Sequence, residues 1–409
     1  MSIIEYKLTN IPGFVDFIKT GKINDEFNNY YSVNEYSTKS NEKYNIVKYS
    51  KDFLFSNYVS TYGLLRSVIF KENKMICFSP PKSISCDNFI KQYPIQNIVA
   101  EEFIEGTMIN LFYNSSWEIS TRNTVGGDTK FYNWSKKTFN EMFVEACLLN
   151  GLNIFELNTS FCYSFVLQHP ENRIVAPFYK PQLFLVSVYK IVQENDSISV
   201  WEQDLDIVRK GGFNNTTIKF PERYKISTYT NYAELIEKYA SPNTPYYIQG
   251  IVLKNIKTGE RSKIRNPTYE EVRHLKGNQP NLQYQYLCLR KEGKLPEFLK
   301  YFPEFKSDFS IFREQVHMFT NNLHKNYISC YIKKQKPLNE YPDQYKTHMF
   351  KIHEKFINDL KPNKQFVTNS IVINYVNELP SQLLMYCLNL NMRKRMIDTI
   401  KGDYMITNL

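Results

Sequence analysis

The sequence predicts an α+β region followed by an all-α region. Three observations carry this. From Leu64 to about Ile264 the chain runs in short β-branched and aromatic stretches separated by turn residues. After Pro267 the apolar spacing becomes persistently helical, punctuated by prolines and asparagines. A length of 409 residues with 42% hydrophobic content is enough for two globular domains. The expected division is residues 1–285 and 286–409.

Residues 1–50 are polar and rich in Asn, Tyr and Lys, and read as an N-terminal extension with one short helix at Pro12–Lys19. Strands are expected at Leu65–Phe70, Lys74–Phe78, Met108–Phe112, Trp117–Thr121, Ser164–Gln168, Leu183–Ile191, Ile198–Trp201 and Ile248–Lys254. Their side chains suit a pleated, half-buried surface. Phe139, Met142, Phe143 and Ala146 give Trp134–Leu149 a helical apolar face, and 202–212 and 231–239 are further helices. Beyond Pro267, helices are expected at Tyr269–Lys276, Asp308–Lys325, Asp343–Leu360, Asn369–Leu379 and Gln382–Lys401.

The net charge of +10 and pI of 8.9 suit a polyanionic partner. The 31 tyrosines and 29 phenylalanines accompany abundant Asn, Lys and Ile, the mark of coding from an AT-rich genome. A base-stacking surface needs only a few aromatics at one site. Seven scattered cysteines without a CxxC pair point to reduced thiols in a cytoplasmic compartment and away from a zinc site. His348 and His353 are five residues apart and share no helix face, which argues against a histidine metal pair. The first residues lack a basic segment followed by an apolar core, and no stretch of roughly 20 apolar residues occurs. A soluble protein with no membrane partner is the expectation.

The most informative segment is Glu101-Glu102-Phe103-Ile104-Glu105-Gly106-Thr107. Glu105, Gly106 and Thr107 stand in the register of the Lys-x-Asp/Glu-Gly-Ser/Thr motif of covalent nucleotidyltransferases, with Phe103 at the lysine position. Around it lie Leu65-Arg66-Ser67-Val68-Ile69-Phe70, Ser79-Pro80-Pro81-Lys82 followed by Phe89, and Ile119-Ser120-Thr121-Arg122-Asn123-Thr124-Val125-Gly126. Further on come Phe165-Val166-Leu167-Gln168-His169-Pro170-Glu171-Asn172-Arg173-Ile174-Val175, Gln249-Gly250-Ile251-Val252-Leu253-Lys254, and Lys263-Ile264-Arg265 with Tyr269. Each alone is weak; together, in order over about residues 60–275, the set resembles the phage-type RNA ligases, which repair broken tRNA.

That resemblance implies an ATP-grasp-like nucleotidyltransferase (RNA ligase) fold with an all-α C-terminal domain used for RNA specificity. It implies RNA or nucleotide as partner, and ATP with Mg²⁺ as cofactors if the chain is active. The nucleotide- and phosphate-binding set it places on this sequence is Arg66, Lys82, Phe103, Glu105, Arg122, Gln249, Lys254, Lys263 and Arg265.

Three positions depart from the family together. Phe103 has no lone pair, so the covalent step through this position is chemically impossible. The two glutamates that the family uses for metal and nucleotide sugar fall at Val166 and Gln249. Gln249 offers Mg²⁺ a neutral oxygen in place of a hard anionic one. No catalytic residue and no metal ligand is therefore assigned. The reading is a catalytically degenerate RNA-ligase-like protein that binds RNA or nucleotide phosphate, as a subunit or accessory factor of a protein complex. An active ligase of divergent design and a structural virion protein that reuses the fold are the alternatives. The composition fits a large DNA virus, with the host cytoplasm or the virion as location.

Several residues keep a second reading. Lys82 or Lys91 would be the nucleophile if Phe103 were out of register, although neither precedes an Asp/Glu-Gly pair. Asn172 and Arg173 could bond backbone at a turn, and Lys263 and Arg265 could lie on a solvated edge strand. Lys333-Lys334-Gln335-Lys336 and Arg393-Lys394-Arg395 read as solvated helix ends or as phosphate contacts. Glu101, Glu102 and Glu105 could together replace the lost metal ligands.

Overall fold

The structure is a computed structural model that describes residues 4–132 and 135–390. Trp134, the Arg393-Lys394-Arg395 cluster and the expected helix beyond residue 390 lie outside the described residues. The chain divides into two compact units, Met1–Gly277 and Asn278–Leu409.

The strands of the first unit, in chain order, are β1 (Glu5–Lys7), β2 (Tyr31–Ser37), β3 (Lys43–Tyr49), β4 (Arg66–Lys71), β5 (Lys74–Cys77), β6 (Ile98–Glu102), β7 (Thr107–Asn114), β8 (Ser116–Ser120), β9 (Phe161–Gln168), β10 (Gln182–Glu194), β11 (Ser197–Glu202), β12 (Arg223–Tyr224), β13 (Gly250–Asn255) and β14 (Arg261–Arg265). Its helices are α1 (Phe14–Thr20), α2 (Cys86–Gln92), α3 (Phe139–Leu149), α4 (Leu205–Gly212), α5 (Tyr232–Tyr239) and α6 (Pro267–Lys276). Three antiparallel sheets result, ordered β1-β11-β10-β9-β7-β8, β2-β3-β4-β5 and β12-β6-β13-β14.

Every strand expected from the sequence forms, with ends shifted by a few residues. Residues 1–50 are not a mere extension, however. They supply β1, β2, β3 and α1, and Phe14 and Phe17 of α1 pack at 6.1 and 5.5 Å from Phe70 of β4 in one apolar core. The alternation in β2 and β3 is hidden because tyrosines, not aliphatics, fill inward positions: Tyr31, Tyr44 and Tyr49 are buried.

Local chemistry fixes the elements that carry the site. Helix α3 starts later than its apolar pattern suggests, at a capping box in which Thr138 and Glu141 satisfy each other's backbone N–H groups. Helix α6 begins straight after β14. Asn266 caps it by accepting from Thr268 N at 2.9 Å, while its amide nitrogen donates to the carbonyls of Thr244, Pro245 and Ile248. Pro267 at the first helical position suits the donor-free first turn.

The second unit is helical in all its described regular elements: α7 (Leu282–Lys291), α8 (Leu295–Tyr301), α9 (Lys306–Tyr327), α10 (Asp343–Lys355), α11 (Asn369–Glu378) and residues 381–390. Helix α7 runs across residue 285. Phe298, Phe302, Phe309, Phe319 and Tyr327 fill its interior. His348 is buried between the Tyr375 hydroxyl (2.8 Å) and Cys387 Sγ (3.2 Å), and burial holds its pKa below the usual histidine range. His353 stacks on Tyr331 with ring centres 3.9 Å apart. No helix of the described residues is long and apolar enough to cross a membrane.

Candidate functional site

The site forms where β6 ends and the chain turns into β7. Phe103 follows β6 directly, and its N–H donates to Gly250 O at 3.2 Å, which ties it to the start of β13. Two glycines make this close approach feasible. A Cβ on Gly106 (φ +148°) would lie 2.5 Å from Leu167 O, and one on Gly250 (φ +131°) 2.0 Å from Ile264 O.

Strand β14 then sets a row of cations across the cleft. Arg261, Lys263 and Arg265 alternate along it and so share one face. Lys263 Nζ stands 4.8 Å, and Arg265 Cζ 5.5 Å, from the centre of the Phe103 ring. The ring face attracts both cations. Arg66 enters from β4. The resulting cleft, ≈ 230 Å³, is lined by the cations Arg66, Arg261, Lys263, Arg265 and Arg273, by the carboxylates Glu101 and Glu102, and by Phe103, Gln249, Tyr269 and the apolar Val166, among others.

The charges there are poorly compensated. Arg265 and Arg273 share Glu270, at 3.1 and 3.0 Å. Arg66, Lys82, Arg261 and Lys263 have no ion-pair partner among the described residues. Arg66 reaches only Pro80 O at 3.5 Å, and Arg261 donates to Pro81 O at 3.0 Å. Burial, then Arg261, pulls the Arg66 guanidinium down to about 10, and it stays charged at neutral pH. Burial, then Arg261, Arg66, Arg265 and Lys82, holds the Lys263 ammonium well below the usual lysine range. Lys82 is lowered by burial, then by Arg66 and Arg261. These mutual effects require the groups to stand close together.

The residues expected from the sequence divide accordingly. Arg66, Phe103, Gln249, Lys263 and Arg265 line the cleft. Lys82 stands outside its wall, exposed, with Nζ donating to Ser83 O at 2.8 Å. Arg122 lies apart, 5.9 Å over the Tyr49 ring. Lys254 is drawn away into an ion pair with Glu202. Glu105 is buried and accepts from Val175 N at 2.8 Å and from Ala176 N at 3.0 Å, so it fastens the neighbouring loop and does not face the cleft. Asn172 and Arg173 support the same loop: Asn172 donates to Thr107 Oγ1 at 2.6 Å, and Arg173 Nε to Val175 O at 3.0 Å. Arg261 and Arg273 were missed. The period-two run Arg261-Lys263-Arg265 was the available signal for the first; helix α6 alone decides the second.

The family's Mg²⁺ does not fit these residues. Val166 packs with Ile104 and Phe184 in an apolar cluster where the family has a carboxylate. Gln249 Oε1 is buried without a hydrogen-bond partner, a single neutral acceptor among cations. The three glutamates do not converge: Glu101 pairs with Arg223 at 3.1 Å, Glu102 accepts from Glu222 N at 3.4 Å, and Glu105 holds Val175 and Ala176. Among the described residues no group of three or more His, Cys, Asp or Glu side chains could hold a metal ion. Each cation without an ion-pair partner offers N–H donors and positive charge.

No protein-family model matches the chain. An RNA ligase of Rhodothermus phage RM378 is 25% identical over 223 residues, 48% of this chain and 50% of its own. The chain is RNA-ligase-like. An immediate-early protein ICP-46 homolog of Invertebrate iridescent virus 6 is 25% identical over 276 residues, covering 63% of this chain and 58% of its own. The RNA-ligase-like chain thus spans about half the length of the curated relatives it matches, and both relatives are viral. Among solved structures, an archaeal ATP-dependent RNA ligase aligns with 11% identity and a TM-score of 0.41 over 75% of this chain and 79% of that one.

Proposed function

We propose that this RNA-ligase-like chain holds RNA or nucleotide phosphate non-covalently in the cleft around Phe103 and has lost the covalent step. One observation supports this above the others: Arg66, Arg261 and Lys263 line the cleft beside Phe103 without ion-pair partners among the described residues. Gathering desolvated like charges opposes folding, and a bound phosphate offsets that cost. Guanidinium groups present paired N–H donors that match phosphate oxygens, and an ammonium adds a point charge. Phe103 supports Lys263 and Arg265 from below and supplies no nucleophile.

Two outcomes follow. Binding of ATP or of a short 5′-phosphorylated RNA should persist undiminished in EDTA, because the two carboxylates at the cleft, Glu101 and Glu102, are engaged by Arg223 and the Glu222 N–H. Lys263→Ala with Arg265→Ala should weaken that binding and flatten the plot of log affinity against log salt by up to ~0.7 per lost contact on a single strand. Titrations at several salt concentrations measure both. Equal slopes for wild type and double variant, or no wild-type binding at low salt, would favour a structural role.

Stability separates the readings further. The Lys263 pKa is depressed by folding, so the stability it contributes is present above the ordinary lysine range and lost as pH falls through the lowered value. Protonating Lys263 therefore opposes folding. Lys263→Met should raise the melting temperature of the ligand-free protein, by the equivalent of about 1 kcal/mol, while weakening anion binding. A lower melting temperature would show that Lys263 serves the fold.

A further inference from the structure

We propose that Lys48, Arg66 and Arg122 form a second phosphate subsite, holding the backbone of a single-stranded nucleic acid whose end lies in the Phe103 cleft. This rests on the anion-binding reading of that cleft and goes beyond it, because a mononucleotide would occupy the cleft alone.

The subsite is built by a β-bulge. Along the β3–β4 ladder Val47 pairs with Val68, and the next pair is Lys48 with Arg66, so Ser67 is an extra residue. Ser67 has φ +64°, a left-handed conformation that a serine holds at a cost of order 1 kcal/mol. The bulge places Lys48 and Arg66 directly opposite each other on neighbouring strands. Both heads lie near a third cation, Arg122, which adds to burial in lowering the pKa of each. The loop of residues 121–124 adds Arg122 and is fastened to the same place. Ser67 Oγ donates to Arg122 O at 2.8 Å, Lys48 Nζ donates to Asn123 Oδ1 at 3.1 Å, and the Arg122 guanidinium lies 5.9 Å over the Tyr49 ring. Burial, then Arg122, lowers the Lys48 ammonium. Among the described residues none of the three cations forms an ion pair.

Backbone strain and three fastening contacts thus hold a cationic platform with no internal counter-charge. Arg66 belongs to both places: it lines the cleft and faces Lys48. Two anion sites joined through one arginine suit successive phosphates of a strand. The charges address the phosphodiester backbone, so RNA and DNA strands should respond alike.

The test titrates a short 5′-phosphorylated single-stranded RNA, the matching DNA and ATP against wild type and Lys48→Gln with Arg122→Gln. Loss of two single-strand contacts lowers affinity by about fifteenfold at 0.15 M salt and flattens the salt slope by up to ~1.4. That loss is expected for both strands, with ATP affinity unchanged. Strand binding unchanged in the double variant would overturn the subsite and leave the cleft reading intact. An equal fall for ATP would assign Lys48 and Arg122 to the cleft, and a loss confined to RNA would point to 2′-hydroxyl recognition; either overturns the proposal. Wild type binding neither strand nor ATP would remove both readings. Ser67→Gly offers a second variant: glycine accepts the positive φ but frees the loop, so strand affinity should fall several-fold without loss of stability. Unchanged strand affinity in this variant would count against the bulge as the organising element.

Discussion

Incubated with α-labelled ATP and Mn²⁺ and then denatured, the wild-type chain is expected to retain no label. The slot for the attacking amine holds Phe103, and a phenyl ring cannot form the phosphoramidate. A label on any lysine, Lys82 and Lys91 included, would end the degenerate reading. Phe103→Lys alone should also fail, for a reason that lies outside the nucleophile. Lys263 and Arg265 already stand 4.8 and 5.5 Å from the ring centre. Each would repel a new ammonium by about 3 kcal/mol at an effective dielectric of about 20. The introduced amine would therefore be readily deprotonated and nucleophilic. What is missing is the metal, because Val166 sits in an apolar cluster with Ile104 and Phe184, and Gln249 carries no charge. Adding Val166→Glu and Gln249→Glu to Phe103→Lys should give the first detectable adduct, at a cost in stability of roughly 2 kcal/mol for the buried carboxylate. Robust labelling by the single variant would show that the carboxylates matter less than this geometry indicates.

Glu105→Ala should destabilise the first unit more than any other single change at the site. The carboxylate is buried and accepts the N–H groups of Val175 and Ala176, and Tyr269 bonds it from α6. Truncation leaves the buried Val175 N–H unpartnered, at about 1–3 kcal/mol, and the half-buried Ala176 N–H at a smaller cost. A fall in melting temperature of roughly 6–12 °C is expected for a unit of this size. A fall under 2 °C would mean the loop of residues 172–176 finds other partners. The pH dependence has a definite sign. Burial raises the Glu105 pKa, and the N–H donors and Tyr269 only partly oppose it. A carboxyl with a folded pKa above its unfolded value contributes stability that is fully present below the ordinary glutamate range and lost as pH rises through the raised value. Between pH 4 and 7, wild type should therefore lose stability relative to Glu105→Gln, which does not titrate. A constant difference across that range would contradict the assignment.

The order of elements was legible in the sequence because strand and helix periods differ and the turns are marked by Gly, Pro and Asn. The register that puts Phe103 at the motif's lysine position was read from Glu105, Gly106 and Thr107 without any structure. Lys263 and Arg265 could be placed on one face from their spacing alone, and the structure sets both over the Phe103 ring. Residues 1–50 misled, because tyrosines at inward positions carry polar hydroxyls and blur the alternation that marks a buried strand. Lys254 and Glu105 were indistinguishable from cleft residues in sequence. Their partners, Glu202 for one and the Val175 and Ala176 amides for the other, lie 52 and about 70 residues away along the chain. The opposition of Lys48 and Arg66 depends on a one-residue bulge at Ser67, and pairing register is a property of two strands together. Sequence alone determined which residue stands at the lysine position of the resemblance, since that follows from the identity of single residues. Tertiary structure decided which cations remain uncompensated, since charge balance depends on what stands within a few ångströms in space.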